Sequence, residues 1–261
     1  MKIMTYNIYE GGGSRLPVIA DIIKEENPDF VALQEAVFED PDLRTLGEQT
    51  GYEHHVISYA GKGNFNVASL SKFSFKTAYG LARFRNACLK TVIASEFGEI
   101  TILNAHLTPS SEGQRLKELG IILNETGYGH TIILGDFNSL SPEDKYDTTA
   151  FNDTEKRKFT KDGRVRYEVI QRLTDAGYTD VAIHLGLIDR ETVPPQIAED
   201  NHGLPFRLDY IFVSGSLIPY TRYARVVRTE HSSRASDHYP LVAIFENVKW
   251  FYFAYTFDGF W

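Results

Sequence analysis

The apolar and polar positions of this chain alternate between strand-like and helix-like segments. Short apolar runs predict buried strands, and apolar positions that recur every three or four residues predict helices packed on them. The predicted strands are Ile3–Ile8, Phe30–Leu33, Val67–Leu70, Leu89–Ala94, Ile100–Asn104, Thr131–Leu134, Leu208–Val213, Tyr223–Arg228 and Leu241–Phe245. The predicted helices are Leu16–Glu26, Asp42–Gln49, a segment from the capping-box spacing Ser111–Gln114 through Leu123, and Val169–Ala176. Because runs such as Thr131–Leu134 are typical of a mostly parallel sheet with both faces buried, the pattern indicates an α/β fold.

The stretch from Ser141 to Arg207 is less regular, and we interpret it as an excursion over one face of the domain. It carries a basic cluster formed by Lys156, Arg157, Lys158, Lys161, Arg164 and Arg166. Two interpretations are open for this cluster. It grips an anionic substrate, or it is a solvated loop whose charge is interrupted by the neighbouring acidic residues.

The chain has 261 residues, of which 43% are hydrophobic, and this length and composition favour one domain over residues 1–247. The remaining residues, 248–261, form an aromatic tail, in which Trp250–Trp261 are almost wholly aromatic. We expect this tail to pack as an edge strand or strap on the domain or on a twin subunit in a homodimer, because aromatic side chains bury large areas. A wall that stacks an apolar substrate group and an interfacial membrane contact are the alternatives.

Net charge and cysteine content limit the classes of function. A formal charge of −8 repels polyanions at long range, which counts against a sequence-blind nucleic-acid binder. The lone Cys88 lies in an apolar segment, which predicts a core position and fits a reducing compartment. The chain shows neither a secretory leader nor a run of membrane-spanning length, so the expected location is cytoplasmic.

Polar side chains gather at the ends of the predicted strands. Those that follow or precede strands are Asn7, Glu35, His106, Asp136 with Asn138, Asp237 with His238, and Asp209. Carboxylate and amide oxygens suit Mg²⁺, and imidazoles near neutral pH donate to phosphate oxygens. Asp136 and Asn138 are two residues apart, which points both side chains the same way if the extended run continues through them. The sequence contains no Gly-x-Ser-x-Gly elbow, Walker A loop or His-Glu-x-x-His motif.

Six sequence blocks resemble the signature blocks of the endonuclease/exonuclease/phosphatase superfamily, which has the DNase I-like fold. They are Thr5–Ile8, Leu33–Glu35, Asn104–Leu107, Gly135–Asn138, Arg207–Phe212 and Ser236–Leu241. They stand in the family's order and span nearly the whole chain. The resemblance implies a four-layer α/β sandwich, with two mixed β-sheets packed face to face and helices outside. It also implies hydrolysis of a phosphoester that depends on Mg²⁺ or Mn²⁺.

The resemblance further implies a role for each matched residue. It makes Glu35 the principal metal ligand, with Asn7 and Asp237 completing the metal environment. Asp136 positions or deprotonates the attacking water, and Asn138 holds a phosphate oxygen. The transition state is stabilised by His106 and by His238, which Asp209 orients. Substrate contacts are expected from Arg207 and from Asn66, with Asn64 as the alternative to Asn66, because residues 64–73 resemble another run of the family.

The resemblance also bears on the substrate. The family's abasic-site endonucleases usually carry a tyrosine where this chain has His106, so the block looks more like those of the DNase I, sphingomyelinase and phosphatase branches. We therefore predict a phosphodiesterase or phosphatase acting by in-line attack of water on a small-molecule or lipid-headgroup phosphoester. A nuclease acting on DNA or RNA is the first alternative. A non-catalytic interaction module of the same fold is the second.

Overall fold

The computed structural model describes residues 1–62, 65–194 and 204–247, and its longer strands form two six-stranded sheets. The strands of the first sheet are β1 (Lys2–Asn7), β2 (Phe30–Gln34), β3 (His54–Ser58), β4 (Val67–Ser71), β13 (Thr221–Val226) and β14 (Leu241–Phe245). The strands of the second sheet are β5 (Phe75–Gly80), β6 (Ala87–Ser95), β7 (Gly98–His106), β8 (His130–Asp136), β11 (Tyr178–Asp180) and β12 (Asp209–Ser214). The helices are α1 (Leu16–Glu26), α2 (Asp40–Thr50), α3 (Glu112–Asn124), α4 (Asp153–Phe159), α5 (Glu168–Asp175), α6 (Val181–His184) and α7 (Ser232–Ala235).

Both sheets are mixed. The first has the order β13-β14-β1-β2-β4-β3 and the second β11-β12-β8-β7-β6-β5. In each sheet one central pair is parallel, β1 with β2 and β7 with β8, and the other pairs are antiparallel. The prediction of a mostly parallel sheet is therefore wrong. A continuous apolar run indicates only that both faces of a strand are buried. Here a second sheet covers one face and helices cover the other, so parallel and antiparallel strands are buried equally.

The core consists of three apolar layers between four structural layers. Alternate residues of one strand enter different layers: Ile132 and Leu134 lie between the sheets, whereas Ile133 packs under α3 and α5. The first sheet does the same, with Phe30 between the sheets and Val31 under α1 and α2. This four-layer sandwich confirms the predicted fold class.

Local sequence signals explain where the main helices begin and end. Glu39 and Asp42 form a capping box at the start of α2, which ends at Gly51 with a φ of 83°. The hydroxyl of Ser111 accepts a hydrogen bond from the backbone N–H of Gln114 at the start of α3. In the described ranges, no helix is long and apolar enough to span a membrane.

The irregular stretch after Ser141 contains more structure than the pattern predicted. It holds α4, α5, β11, α6 and a two-stranded hairpin of β9 (Thr160–Lys161) and β10 (Arg164–Val165). A separate apolar cluster that includes Phe151, Phe159 and Phe206 supports it. The edge strands β3 and β5 were also not predicted. The aromatic tail, with its predicted packing and homodimer, lies outside the described residues, as does Asn64.

Candidate active site

Strand direction brings the predicted site residues to one edge of the sandwich. The carboxyl ends of β1, β2, β7 and β8 carry Asn7, Glu35, His106 and Asp136. Strand β12 runs antiparallel to β8, so its first residue, Asp209, lies opposite Asp136. Strand β14 runs antiparallel to β1, which places the loop containing Asp237 and His238 at the same edge. The side chains from the amino ends of two strands thus meet those from the carboxyl ends of four.

Asp136 is the centre of this cluster. Its Oδ2 accepts a hydrogen bond of 3.1 Å from Nδ2 of Asn7 and lies 3.4 Å from Nε2 of His106 and 4.0 Å from Nε2 of His238. Its Oδ1 accepts from the backbone N–H of Asn138 at 2.8 Å. Burial favours the neutral acid, but the two histidines, Lys158 and the Asn138 amide hold the pKa of Asp136 below its ordinary value. The carboxylate form is therefore the one present at neutral pH.

Gly135 allows strand β8 to pass close to the backbone of β7 just before Asp136. Its φ is 132°, and a Cβ atom at this position would lie 1.9 Å from the carbonyl oxygen of Ala105. Only glycine fits this conformation and this approach without displacing backbone atoms.

His238 and Asp209 form a buried ion pair beside Asp136. Nδ1 of His238 lies 2.6 Å from Oδ2 of Asp209, and both side chains are almost wholly buried. Burial opposes the charged imidazole, but Asp209, through its charge and its hydrogen bond, and then Asp237 and Asp136, raise the pKa of His238 to about 10. His238 is therefore a cation at neutral pH, with Nε2 directed toward Asp136.

Two further carboxylates stand at the more open side of the cluster. Oε1 of Glu35 accepts a 3.3 Å hydrogen bond from Nδ2 of Asn7, and Oε2 accepts from the backbone N–H of Glu10. Glu35, Glu10 and Tyr9 have φ values of 56°, 51° and 49°. Such left-handed conformations cost about 1–3 kcal/mol each and cluster at functional sites. Asp237 is half-buried and accepts from the Ser236 hydroxyl at 3.3 Å.

The donor set fits a hard divalent cation. Glu35 and Asp237 provide carboxylate oxygens, Asn7 provides an amide, and the half-exposed side leaves space for the waters that Mg²⁺ retains. In the described part of the chain, no group of three or more His, Cys, Asp or Glu side chains is arranged to hold a metal ion by itself, so a bound cation would need the Asn7 amide and water as further ligands. The residues present thus fit Mg²⁺ or Mn²⁺ bound partly through water. The ion itself remains a prediction.

Lys158, from the basic cluster, reaches the site from helix α4. Burial lowers the pKa of its ammonium to about 8, although Asp136, Asp237 and Glu35 favour the charged form. Within the described ranges, the ammonium makes no hydrogen bond or ion pair, and its nitrogen stands 5.0 Å from the centroid of the Phe159 ring. The sequence marked Lys158 only as one of six basic residues. The capping-box sequence of Asn152 and Glu155, which predicts α4, is the one local signal that could have placed it on a helix.

Asn138 differs from its predicted geometry, Asn66 forms a contact within its own loop, and the substrate contacts of both stay predictions. The extended run ends at Asp136, because Asn138 has a φ of 49° and its side chain donates to the carbonyl of Leu107 at 3.0 Å. The two side chains therefore do not project in parallel, and Asn138 acts on Asp136 through its backbone N–H. Oδ1 of Asn66 accepts from the backbone N–H of Ala60 at 2.8 Å, which engages that oxygen within its own loop.

Arg207 forms its ion pairs with the excursion after Ser141 and not with the residues around Asp136. The side chain is 2% exposed and forms ion pairs of 2.8 Å with Asp144 and 2.6 Å with Asp180. Its guanidinium also lies 4.6 Å from the centroid of the Tyr210 ring. Both carboxylates come from the excursion after Ser141, so Arg207 links that segment to the second sheet, and its phosphate contact stays a prediction.

Comparisons with known proteins place the chain in a family and support its fold. One relative by sequence is a DNA-(apurinic or apyrimidinic site) endonuclease from Dictyostelium discoideum, which is 24% identical over 145 residues. That match covers 54% of this chain and 39% of the relative, so the chain matches less than half of the relative's length.

Solved structures show the same fold. An AP endonuclease from Archaeoglobus fulgidus has a TM-score of 0.74 at 23% identity, with 95% of this chain and all of that one covered. A 3′ phosphatase from Neisseria, solved with a product DNA hairpin, has a TM-score of 0.69 at 19% identity, with 94% and 99% covered. The model of the Endonuclease/Exonuclease/phosphatase family matches residues 4–238. The chain belongs to the Endonuclease/Exonuclease/phosphatase family.

Proposed function

We propose that this protein is a divalent-metal-dependent phosphohydrolase that cleaves phosphoesters of nucleic acids by direct attack of water. The observation that carries the proposal is the buried contact set around Asp136, in which Asn7, His106 and His238 all approach one carboxylate oxygen. Six separate strand ends contribute to this site, and nothing in the packing of a sandwich requires them to be polar.

Asp136 is the group that orients water and accepts its proton. The histidines keep it ionised, and its hydrogen bonds from Asn7 and the Asn138 backbone fix the carboxylate plane. A carboxylate held in one orientation by its neighbours can accept a hydrogen bond from a water directed at phosphorus.

His238 and His106 supply donors for the phosphoryl oxygens. His238 is cationic because Asp209 holds its other ring nitrogen, which leaves Nε2–H to donate into the cluster. Preorganised cationic donors stabilise the charge that develops on a phosphoryl group in the transition state. The Lys158 ammonium adds a further positive charge.

Glu35, Asn7 and Asp237 are the residues that would hold the cation. When bound, Mg²⁺ or Mn²⁺ polarises a phosphoryl oxygen and neutralises part of the phosphate charge. The backbone N–H of Glu10 and the amide of Asn7 hold Glu35 in place for this task.

We propose a nucleic-acid substrate in place of the small-molecule substrate that the sequence favoured. The named relatives include AP endonucleases and a 3′ phosphatase bound to DNA, and these names support a nucleic-acid substrate. The formal charge of −8 favours the second candidate, a small phosphoester or lipid headgroup, because it weakens long-range attraction of a polyanion. A cytoplasmic location stays a prediction.

A panel of phosphoesters assayed with Mg²⁺ and Mn²⁺ tests the proposal. It contains duplex DNA with an abasic site, 3′-phosphorylated DNA, single-stranded DNA and RNA, nucleotides and lipid headgroup esters. We expect metal-dependent hydrolysis of a nucleic-acid substrate, which would also exclude a non-catalytic interaction module. Full activity in EDTA, or hydrolysis confined to small esters, would contradict it.

Substitutions assign the activity to the site. Glu35→Gln, Asp136→Asn and His238→Ala are each expected to lower turnover by about 100-fold or more, because each removes a transition-state interaction. Glu48→Gln, at an exposed position of α2, is the matched control. Thermal unfolding of each variant separates a lost reaction from a lost fold.

A further inference from the structure

A cleft of about 540 Å³ opens beside the active site. The ring of Phe65, which lines it, lies with its centroid 5.8 Å from that of the His106 imidazole. Glu10 lines the same cleft and donates its backbone N–H to Glu35. The cleft therefore borders both a histidine and a candidate metal ligand of the site.

Two cations that have no acidic partner among the described residues line this cleft. The side chains of Lys62 and Arg85 are exposed and form no ion pair or hydrogen bond with any residue that the structure describes. By contrast, Lys72 and Lys90 pair with acidic side chains. In a chain of net charge −8, two neighbouring cations without carboxylate partners are available to an anionic ligand.

Backbone contacts fix these two cations relative to the site. The N–H of Lys62 donates to the carbonyl of Arg85 at 3.1 Å, which holds the two residues side by side. The buried carboxylate of Glu118 accepts from the backbone N–H of Arg85 at 3.0 Å and from that of Thr108 at 2.9 Å. Because Thr108 follows His106 by two residues, Glu118 ties the cation-bearing loop to the end of strand β7.

Asn86 adds a buried polar group with a donor that no described residue satisfies. The residue lines the cleft and is 2% exposed, and its buried Nδ2 atom has no hydrogen-bond partner among the described residues. A buried amide without a partner is costly, and a ligand oxygen is the kind of acceptor that would satisfy it.

We propose that Lys62, Arg85 and Asn86 bind a second phosphate of the substrate, next to the phosphate that reacts. Paired cations with a nearby amide suit a phosphate, whose oxygens accept several hydrogen bonds at once. This inference rests on the proposed function and adds a substrate requirement to it. The second phosphate belongs to the next nucleotide of a strand or to a small molecule with two phosphates.

The Lys62→Ala/Arg85→Ala double variant tests the proposal against a control that also removes two positive charges. In that control, Lys24→Ala/Arg222→Ala, the changed residues lie on α1 and on the edge strand β13. The substrates are thymidine 5′-p-nitrophenyl phosphate, the same ester carrying a 3′-phosphate, and a single-stranded DNA oligonucleotide.

We expect the double variant to lower kcat/KM for the substrates with a second phosphate about 10-fold or more relative to the single-phosphate ester. The control should leave this ratio unchanged. A decrease with the oligonucleotide alone identifies a strand as the source of the phosphate, and a decrease with the nucleoside bisphosphate ester alone identifies a small molecule. An unchanged ratio in the double variant would overturn the inference.

A binding measurement keeps this test separate from the proposed function. Anisotropy of a labelled single-stranded oligonucleotide, titrated in EDTA over a range of KCl, requires no hydrolysis. The slope of log K against log[salt] should decrease in magnitude by about 0.7 for each phosphate that the variant no longer neutralises. If the wild type hydrolyses none of the esters, the proposed function fails. If the slope of the double variant also equals that of the wild type, the phosphate site fails with it.

Discussion

Asp209→Asn isolates the charge that keeps His238 protonated. The substitution keeps the shape of the side chain but replaces the carboxylate that lies 2.6 Å from Nδ1. An opposite charge at this range shifts a pKa by about 1–3 pH units, and the charge-assisted hydrogen bond adds to that effect. The pKa of His238 is raised to about 10, so we expect the variant to bring it down by about 2–3 pH units. That change corresponds to roughly 3–4 kcal/mol of preference for the charged form.

NMR of metal-free protein with labelled histidine side chains measures this pKa directly. The chain has eight histidines, and a His238→Gln variant assigns the resonance. Asp147→Asn, at an exposed residue, controls for the removal of one negative charge. If His238 still titrates near its wild-type pH in Asp209→Asn, then Asp209 is not the cause of the raised pKa.

The His238–Asp209 pair also predicts the direction in which stability changes with pH. His238 has a higher pKa in the folded protein than its ordinary value of 6.5, so the stability it contributes is fully present below pH 6.5. This contribution is lost as the pH rises from 6.5 through about 10. Urea unfolding should therefore show wild type losing more stability than Asp209→Asn over this range. Parallel pH dependence of the two proteins would contradict the assignment.

Three further substitutions test other parts of the structure. Arg207→Ala is expected to destabilise the fold by about 3–5 kcal/mol in urea unfolding, because it removes the ion pair of the buried Asp180 and one of the two arginine partners of Asp144; a decrease under about 1 kcal/mol, typical of an exposed ion pair, would argue against a structural role. Lys158→Met should lower kcat/KM about 10-fold with an unchanged melting temperature, whereas Lys156→Met on the same helix should not. Gly135→Ala should cost roughly 2–5 kcal/mol, and a soluble variant of wild-type stability would show that the close strand approach relaxes easily.

The sequence predicted the fold where strands are buried on both faces. Runs such as Phe30–Leu33 and Ile132–Leu134 contain no polar residue, because each face meets another apolar layer. Strands β3 and β5 escaped prediction because they are edge strands with half-buried or exposed side chains. The apolar pattern also could not predict strand direction, since burial of both faces does not distinguish parallel from antiparallel neighbours.

The site was predictable to the extent that its residues stand at strand ends. Asp136, Glu35 and His238 each lie beside an apolar run, so their convergence followed once the strands were placed. The roles of Arg207 and Lys158 could not be predicted from position along the strands. Their roles depend on partners far away in sequence: Arg207 meets two carboxylates of the excursion, whereas Lys158 lies among acidic groups from three other segments.

The two sheets must keep a fixed register for the site to exist, because it takes Glu35 from one sheet and His106 from the other. A buried polar contact directly beneath the site provides that register. The side-chain amide of Gln34 donates to Oδ1 of Asn104 at 2.7 Å, and the Asn104 amide donates to the backbone carbonyls of Leu33 and Ala68. Apolar side chains alone would allow the two sheets to pack in several slightly different relative positions. These hydrogen bonds can form in only one of those positions. We infer that the polar pair between the sheets sets the distance between Glu35 on one sheet and His106 on the other.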